Sequence, residues 1–166
     1  DLDSHLQELS EILKGEFDLL KSISKPVDFT QLLNQKPAVK KKFNFGYRKS
    51  TSKPIDDIVQ ALIRNFEIEF LDYRTSSKDL VDLLTTNDID ELPYKQIFIN
   101  CQTTQFRHII KRFKDLLPNF NPTSIEKCGR FFSKNGKPYL ANNLNPSKVE
   151  IPKAKIAIDQ IFQKMQ

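Results

Sequence analysis

The side chains best suited to chemistry in this sequence are charged, and they cluster by sign. Asp57, Glu67, Glu69 and Asp72 fall close together in the chain. Carboxylates that converge near a strand hold the divalent ions of metal-dependent nucleases. The usual nuclease spacing asks for a lysine two positions after the strand carboxylate. Glu69 stands there after Glu67, and the next lysine is Lys78. A solvated strand face is the plainer account of the same cluster. Cys101 and His108 make the one conceivable thiol–imidazole pair, but Cys101 ends an apolar run and reads as inert core. His5 is the only other histidine, no Cys-x-x-Cys or His-x-x-x-His occurs, and the four glycines are scattered. No zinc site, phosphate-cradling loop or cofactor is therefore expected.

The basic residues are more suggestive. Net charge is +5 with a pI near 9.1, but it is unevenly spread: residues 1–34 and 55–93 are acidic, whereas 35–54 carry seven basic and no acidic residues. Residues 94–166 carry 13 basic against 4 acidic residues. In the first basic block, Lys40, Lys41, Lys42 and Arg48 are interleaved with Phe43, Phe45 and Tyr47. In the second, Arg107, Lys111, Arg112, Lys127, Arg130, Lys134 and Lys137 are the candidate contacts. Lysines and arginines bind phosphates by releasing counterions, and aromatics stack bases, so nucleic acid is the expected partner. The same charges also fit a solvated face, or docking on the chain's own acidic block. The aromatics likewise fit an ordinary loop whose rings tuck under a domain.

These residues must be positioned by an α+β, mostly helical chain. Its 166 residues suffice for one domain, and 39% hydrophobic content with 13 Phe and no Trp supplies a core. Leu2, Leu6, Leu9, Leu13, Phe17 and Leu20 follow helical spacing, which predicts an amphipathic helix over 2–23. The organisation expected is an N-terminal helical arm at 1–35, a basic aromatic loop or linker at 36–54 and a main α+β domain at 55–166. Within that domain a helix runs from Pro54 to about Asn65, and Phe66 to Phe70 alternate apolar and acidic residues as a half-buried strand does. A capped helix follows with Leu80, Val81, Leu83 and Leu84. Ile97 to Ile99 read as a strand, Thr103 or Thr104 caps a helix over 103–117, and a further helix spans 123–132. Asn135-Gly136 marks a hairpin in which both residues take positive φ. Ile156, Ile158, Ile161, Phe162 and Met165 close the chain as a short helix.

Helix, short strand, helix, turn, helix and hairpin is the order of a winged helix-turn-helix. Helix 103–117 would position, 123–132 would read the DNA, and Lys134 to Lys137 would form the wing. Over 125–148 the capped helix ending in Phe131 and Phe132, the Asn-Gly-Lys turn and the Asn-Leu-Asn-Pro-Ser-Lys segment resemble the C-terminal region of RteC-like regulators of bacterial conjugative elements. That resemblance implies a DNA-associated regulatory role on a mobile element.

Two cysteines are too few for a secreted disulfide scaffold and suit a reducing, cytoplasmic setting. No stretch approaches the ~20 apolar residues of a membrane span. The chain opens at Asp1 without an initiator Met, as a trimmed or processed piece would. The leading expectation is a non-enzymatic DNA-binding or regulatory protein using the basic C-terminal half. Its rivals are a protein-interaction or homodimerisation module built on residues 2–23, and a metal-dependent nuclease.

Overall fold

The computed structural model describes residues 41–48, 55–145 and 151–164, together with Gln7, Glu11, Leu13 and Lys14. The chain divides into two compact units, 1–40 and 41–166. In the first, the four described residues are helical and exposed. They fall inside the helix expected at 2–23; the rest of that helix and the turn expected near 28–34 lie outside the described residues.

In the second unit the order is helix α1 (Ile55–Arg64), helix α2 (Ser77–Thr85), a 3-10 turn (Ile89–Glu91), strand β1 (Ile97–Ile99), helix α3 (Thr103–Phe113), helix α4 (Pro122–Cys128), strand β2 (Phe131–Ser133), and helices α5 (Ala141–Leu144) and α6 (Lys155–Lys164). The architecture is α+β. α1 forms because Ile55, Ile58, Val59 and Leu62 make one buried stripe, with Asp56 and Asp57 at the positive end of the helix dipole. α2 is capped by Ser76, whose Oγ accepts the Asp79 N–H at 3.1 Å, and buries Leu80, Leu83 and Leu84. α3 is preceded by Gln102, whose N–H donates to Gln105 Oε1 at 2.9 Å, so neither Thr103 nor Thr104 caps it.

The strand expected at 66–70 is instead a turn. The N–H groups of Ile68 and Glu69 both donate to the Asn65 carbonyl at 3.1 Å, and Asn65 Oδ1 accepts the Glu67 N–H at 2.9 Å. An asparagine that captures the next backbone amides competes directly with a ladder. Phe66 is left 85% exposed, while Ile68 and Phe70 are buried between exposed Glu67 and Glu69, so burial alternates over 67–70 without a strand. Only Leu71 pairs, antiparallel to Ile99.

The two strands pair parallel, in the register Ile97 with Phe131, Phe98 with Phe132 and Ile99 with Ser133. Parallel neighbours need a long crossover, which α3 and α4 supply. This departs from the expected winged arrangement in two ways. The helix expected over 123–132 stops at Cys128, because Gly129 takes φ 64° and leaves the helix in the left-handed region. Phe131 and Phe132 therefore lie in β2 rather than on a reading helix. The hairpin that follows is short: Ser133 N–H donates to the Lys137 carbonyl at 2.8 Å and Phe132 bridges Pro138. Gly136 takes φ 76° while Asn135 does not enter that region, so the loop is three residues long rather than a two-residue Asn-Gly turn.

Phenylalanine dominates the core. Phe45, Phe106, Phe113 and Phe131 are almost fully buried, and ring centroids lie 5.0 Å apart for Phe45–Phe120 and for Phe113–Phe162. Each such pair adds roughly 0.5–1.5 kcal/mol beyond its buried area. The presence of Phe45 decides one question left open by the sequence. Its ring is buried, the Phe43 carbonyl accepts the Ile89 N–H at 2.7 Å, and the Phe45 carbonyl accepts the Asn119 N–H at 3.1 Å. Residues 43–45 thus strap the second unit together, and the aromatics of this stretch tuck under the domain rather than standing free to stack bases.

Candidate nucleic-acid interface

The strap also organises charge. Phe43 is half-buried, and the Lys127 ammonium sits 4.6 Å from its ring centroid. A desolvated cation over a ring face is worth up to ~2 kcal/mol, less when solvated as here. Lys41 and Lys42 are exposed and lie within two residues of Phe43, hence within about 7 Å of chain. The first basic block and helix α4, more than 80 positions apart in sequence, therefore meet at one place. Asp88 and Asp90 flank Ile89, which the strap bonds, and temper the positive field there. Arg48 is exposed at the strap's far end. Lys40 lies outside the described residues.

The other expected contacts divide. Lys134 and Lys137 are exposed on the hairpin. Lys111 is exposed on α3, but its neighbours are engaged within the fold. Arg107 donates through Nε and Nη2 to the Asn143 carbonyl at 2.9 and 2.5 Å. Arg112 Nε lies 3.3 Å from Asp159 Oδ1, in poor hydrogen-bond geometry, so that this buried nitrogen has no hydrogen-bond acceptor. Lys155 reaches the same carboxylate at 3.7 Å, and Lys95 pairs with Asp79 at 2.5 Å. Part of the basic half is thus neutralised internally.

Arg130 is a clear correction. It is only 7% exposed, and its guanidinium donates to the carbonyls of Pro93 at 2.8 Å, Ile89 at 2.8 Å and Leu92 at 3.0 Å. It closes the C-terminal end of the 3-10 turn, adding to the Leu92 N–H already on the Ile89 carbonyl and serving the Leu92 and Pro93 carbonyls beyond it, and is too buried to contact a phosphate.

The enzyme-like arrangements do not assemble. Asp72 is taken by Arg74, at 2.7 Å, and that hydrogen bond outweighs partial burial and holds its carboxyl below the usual range. Among the described residues no three His, Cys, Asp or Glu side chains gather closely enough to hold a metal ion. Cys101 is buried, which pushes its thiol up to about 12, and Cys128 is pushed up to about 11 for the same reason. Neither is a nucleophile at neutral pH. His108 is committed elsewhere: its Nε2 lies 2.6 Å from Asp159 Oδ1. A groove of about 550 Å³ opens beyond the C-terminal ends of β1 and β2, lined by Glu67, Glu69, Asn100, Gln105, Lys134 and Lys153 among others. Its charges are mixed, and Gln105 is already spent on the Glu67 carbonyl at 3.2 Å.

Residues 16–166 match the model of DUF6617, a family of unknown function. The chain belongs to that family. No curated protein and no solved structure matches it. For this DUF6617 member the geometry must therefore carry the functional reading. Two features had no signal in the sequence: Lys127 seated on Phe43, and an exposed Tyr73 beside Arg74. The first joins residues distant along the chain, and the second falls in a segment read as an acidic strand and its exit.

Proposed function

We propose that this protein is a non-enzymatic nucleic-acid-binding protein that engages the phosphate backbone through Lys41, Lys42 and Lys127, with Lys134 and Lys137 as a second group. The observation that carries this reading is the Lys127–Phe43 contact, which brings the basic strap onto the basic half of the chain. Exposed lysines held near one another on a folded surface bind phosphates without reading sequence. The surface is narrower than charge counting suggested, because Arg130 is interior and Arg112 and Lys155 share Asp159. What remains of the RteC-like resemblance over 125–148, the Asn-Gly-Lys turn and the Asn-Leu-Asn-Pro-Ser-Lys segment without a helix reaching Phe131 and Phe132, favours the form of a DNA-associated regulator. The test is fluorescence-anisotropy binding to a generic labelled oligonucleotide at low salt. Changing Lys41, Lys42 and Lys127 together to Gln is expected to weaken binding at least tenfold, whereas changing Lys78 and Lys95 leaves it intact. Equal affinity for both variants and the wild type, or no binding at all, rejects the proposal.

A second reading rests on Leu13, a member of the N-terminal apolar stripe that is helical and 65% exposed. On this reading residues 2–23 pair with a second copy of the chain. Sedimentation of the wild type as a dimer, lost on changing Leu6 and Leu13 to Gln, supports it; a monomer at all concentrations excludes it.

A further inference from the structure

The small sheet carries a cluster of planar groups that the charge pattern does not explain. Phe98 and Phe132 are register partners on β1 and β2, half-buried, with ring centroids 5.8 Å apart. The Arg74 guanidinium lies over Phe98, 3.9 Å from its centroid. Its edges are fixed: Nε donates to Asp72 Oδ1 at 2.7 Å and Nη2 to the Lys134 carbonyl at 2.6 Å. Next to it Tyr73 is 95% exposed, its ring centroid 5.9 Å from the guanidinium carbon. Lys134 and Lys137 stand exposed on the hairpin whose backbone Arg74 grips.

Each component has a physical consequence. A guanidinium that already lies over one ring and is pinned at two edges loses little further entropy when a base packs against it. Asp72 offsets its charge, so it acts as a plane rather than as a phosphate clamp. Tyr73 exposes a large aromatic ring to water, with the Arg74 guanidinium at its side. Tyrosine rings and arginine planes are the surfaces on which unpaired bases stack, and a duplex, whose bases are stacked on each other, has none to offer.

We infer that Tyr73 and the outer face of Arg74 form a stacking site for an unpaired nucleic-acid base, with the adjoining phosphate held by Lys134 or Lys137. This deepens the nucleic-acid reading and rests on it: the strand passing this point is single. Sugar type is not read by a stack, so DNA and RNA single strands bind alike.

The experiment compares single-stranded DNA and RNA oligonucleotides carrying 2-aminopurine with the matching duplex, using wild type, Tyr73→Ala, Tyr73→Phe and Arg74→Lys. Stacking quenches the probe base. Both single strands are expected to bind with quenching. Tyr73→Ala weakens them by about tenfold and abolishes the quench, Tyr73→Phe retains both, and duplex affinity is unchanged. Because Tyr73 is almost wholly exposed, its alanine variant keeps the fold. Arg74→Lys keeps the charge and loses the plane, so a loss of quenching at unchanged melting temperature supports the site independently. If Tyr73→Ala binds and quenches like the wild type while the Lys41, Lys42 and Lys127 variant still loses affinity, the stacking site is wrong and backbone binding stands. If the wild type binds no nucleic acid at low salt, both fall.

Discussion

At the scale of single residues, charges that face outward differ in role from charges the fold uses. Arg130 shows the difference. Its side chain answers carbonyls at Ile89, Leu92 and Pro93, roughly forty positions earlier in the chain, so no local pattern could reveal that it is interior. Removing it takes one donor from the buried Ile89 carbonyl and from the part-buried Leu92 and Pro93 carbonyls, each lost bond costing on the order of 1 kcal/mol. Arg130→Ala is expected to lower stability by about 3 kcal/mol or more, read as a fall in the urea midpoint. Arg130→Lys should recover only part of that, because an ammonium cannot fan out to three carbonyls. Neither change should alter nucleic-acid affinity at a temperature where the variant is folded; a stable Arg130→Ala protein with weakened binding would reverse the assignment. By contrast, the inert reading of Cys101 was legible from its place at the end of an apolar run, and burial bears it out.

At the scale of elements, helices α1, α2 and α3 were legible because their apolar residues recur at helical spacing and bury as that spacing requires, whereas α6 buries Ile158 and Phe162 but leaves Ile156 exposed. What failed was set by contacts beyond the local pattern. Asn65 turns 66–69 into a tight turn, and Gly129 releases Phe131 and Phe132 from α4 into a parallel pairing that only the crossover makes available. The strap is the element on which the proposed binding depends. Phe45→Ala is expected to cost about 3–5 kcal/mol, and to reduce oligonucleotide binding even where the protein stays folded, because Lys41 and Lys42 lose their anchor. Unchanged thermal stability of that variant would mean the strap is not part of the fold. The docking of α6 on α3 brings a pH dependence. Burial raises the Asp159 carboxyl, but the hydrogen bond from His108 and the charges of His108, Arg112 and Lys155 outweigh it and hold the group below its ordinary value. A lowered carboxylate stabilises the fold above its unfolded value of about 3.9 and loses that contribution as pH falls through the folded value. Asp159→Asn should therefore be less stable than wild type at about pH 6 and lose less on acidification to about pH 3, as followed by urea unfolding at both pH values. Parallel loss in the two proteins would contradict this.

At the scale of the whole molecule, charge counting was informative about sign but not about surface. The expectation of a basic half was correct as arithmetic, yet the fold spends Arg130 on backbone carbonyls, sets Arg112 and Lys155 against Asp159, and pairs Lys95 with Asp79. What is left for a partner is fewer lysines, gathered by a phenylalanine strap that sequence could present only as a loop. If those lysines meet phosphates, binding must release counterions, and the slope of log affinity against log salt counts them. That slope, measured from about 50 to 200 mM salt for the wild type and for the variant with Lys41, Lys42 and Lys127 changed to Gln, is the most direct measurement. The account predicts a steep wild-type slope that becomes shallower by about two to three in the variant. A salt-independent affinity, or equal slopes for the two proteins, would contradict it.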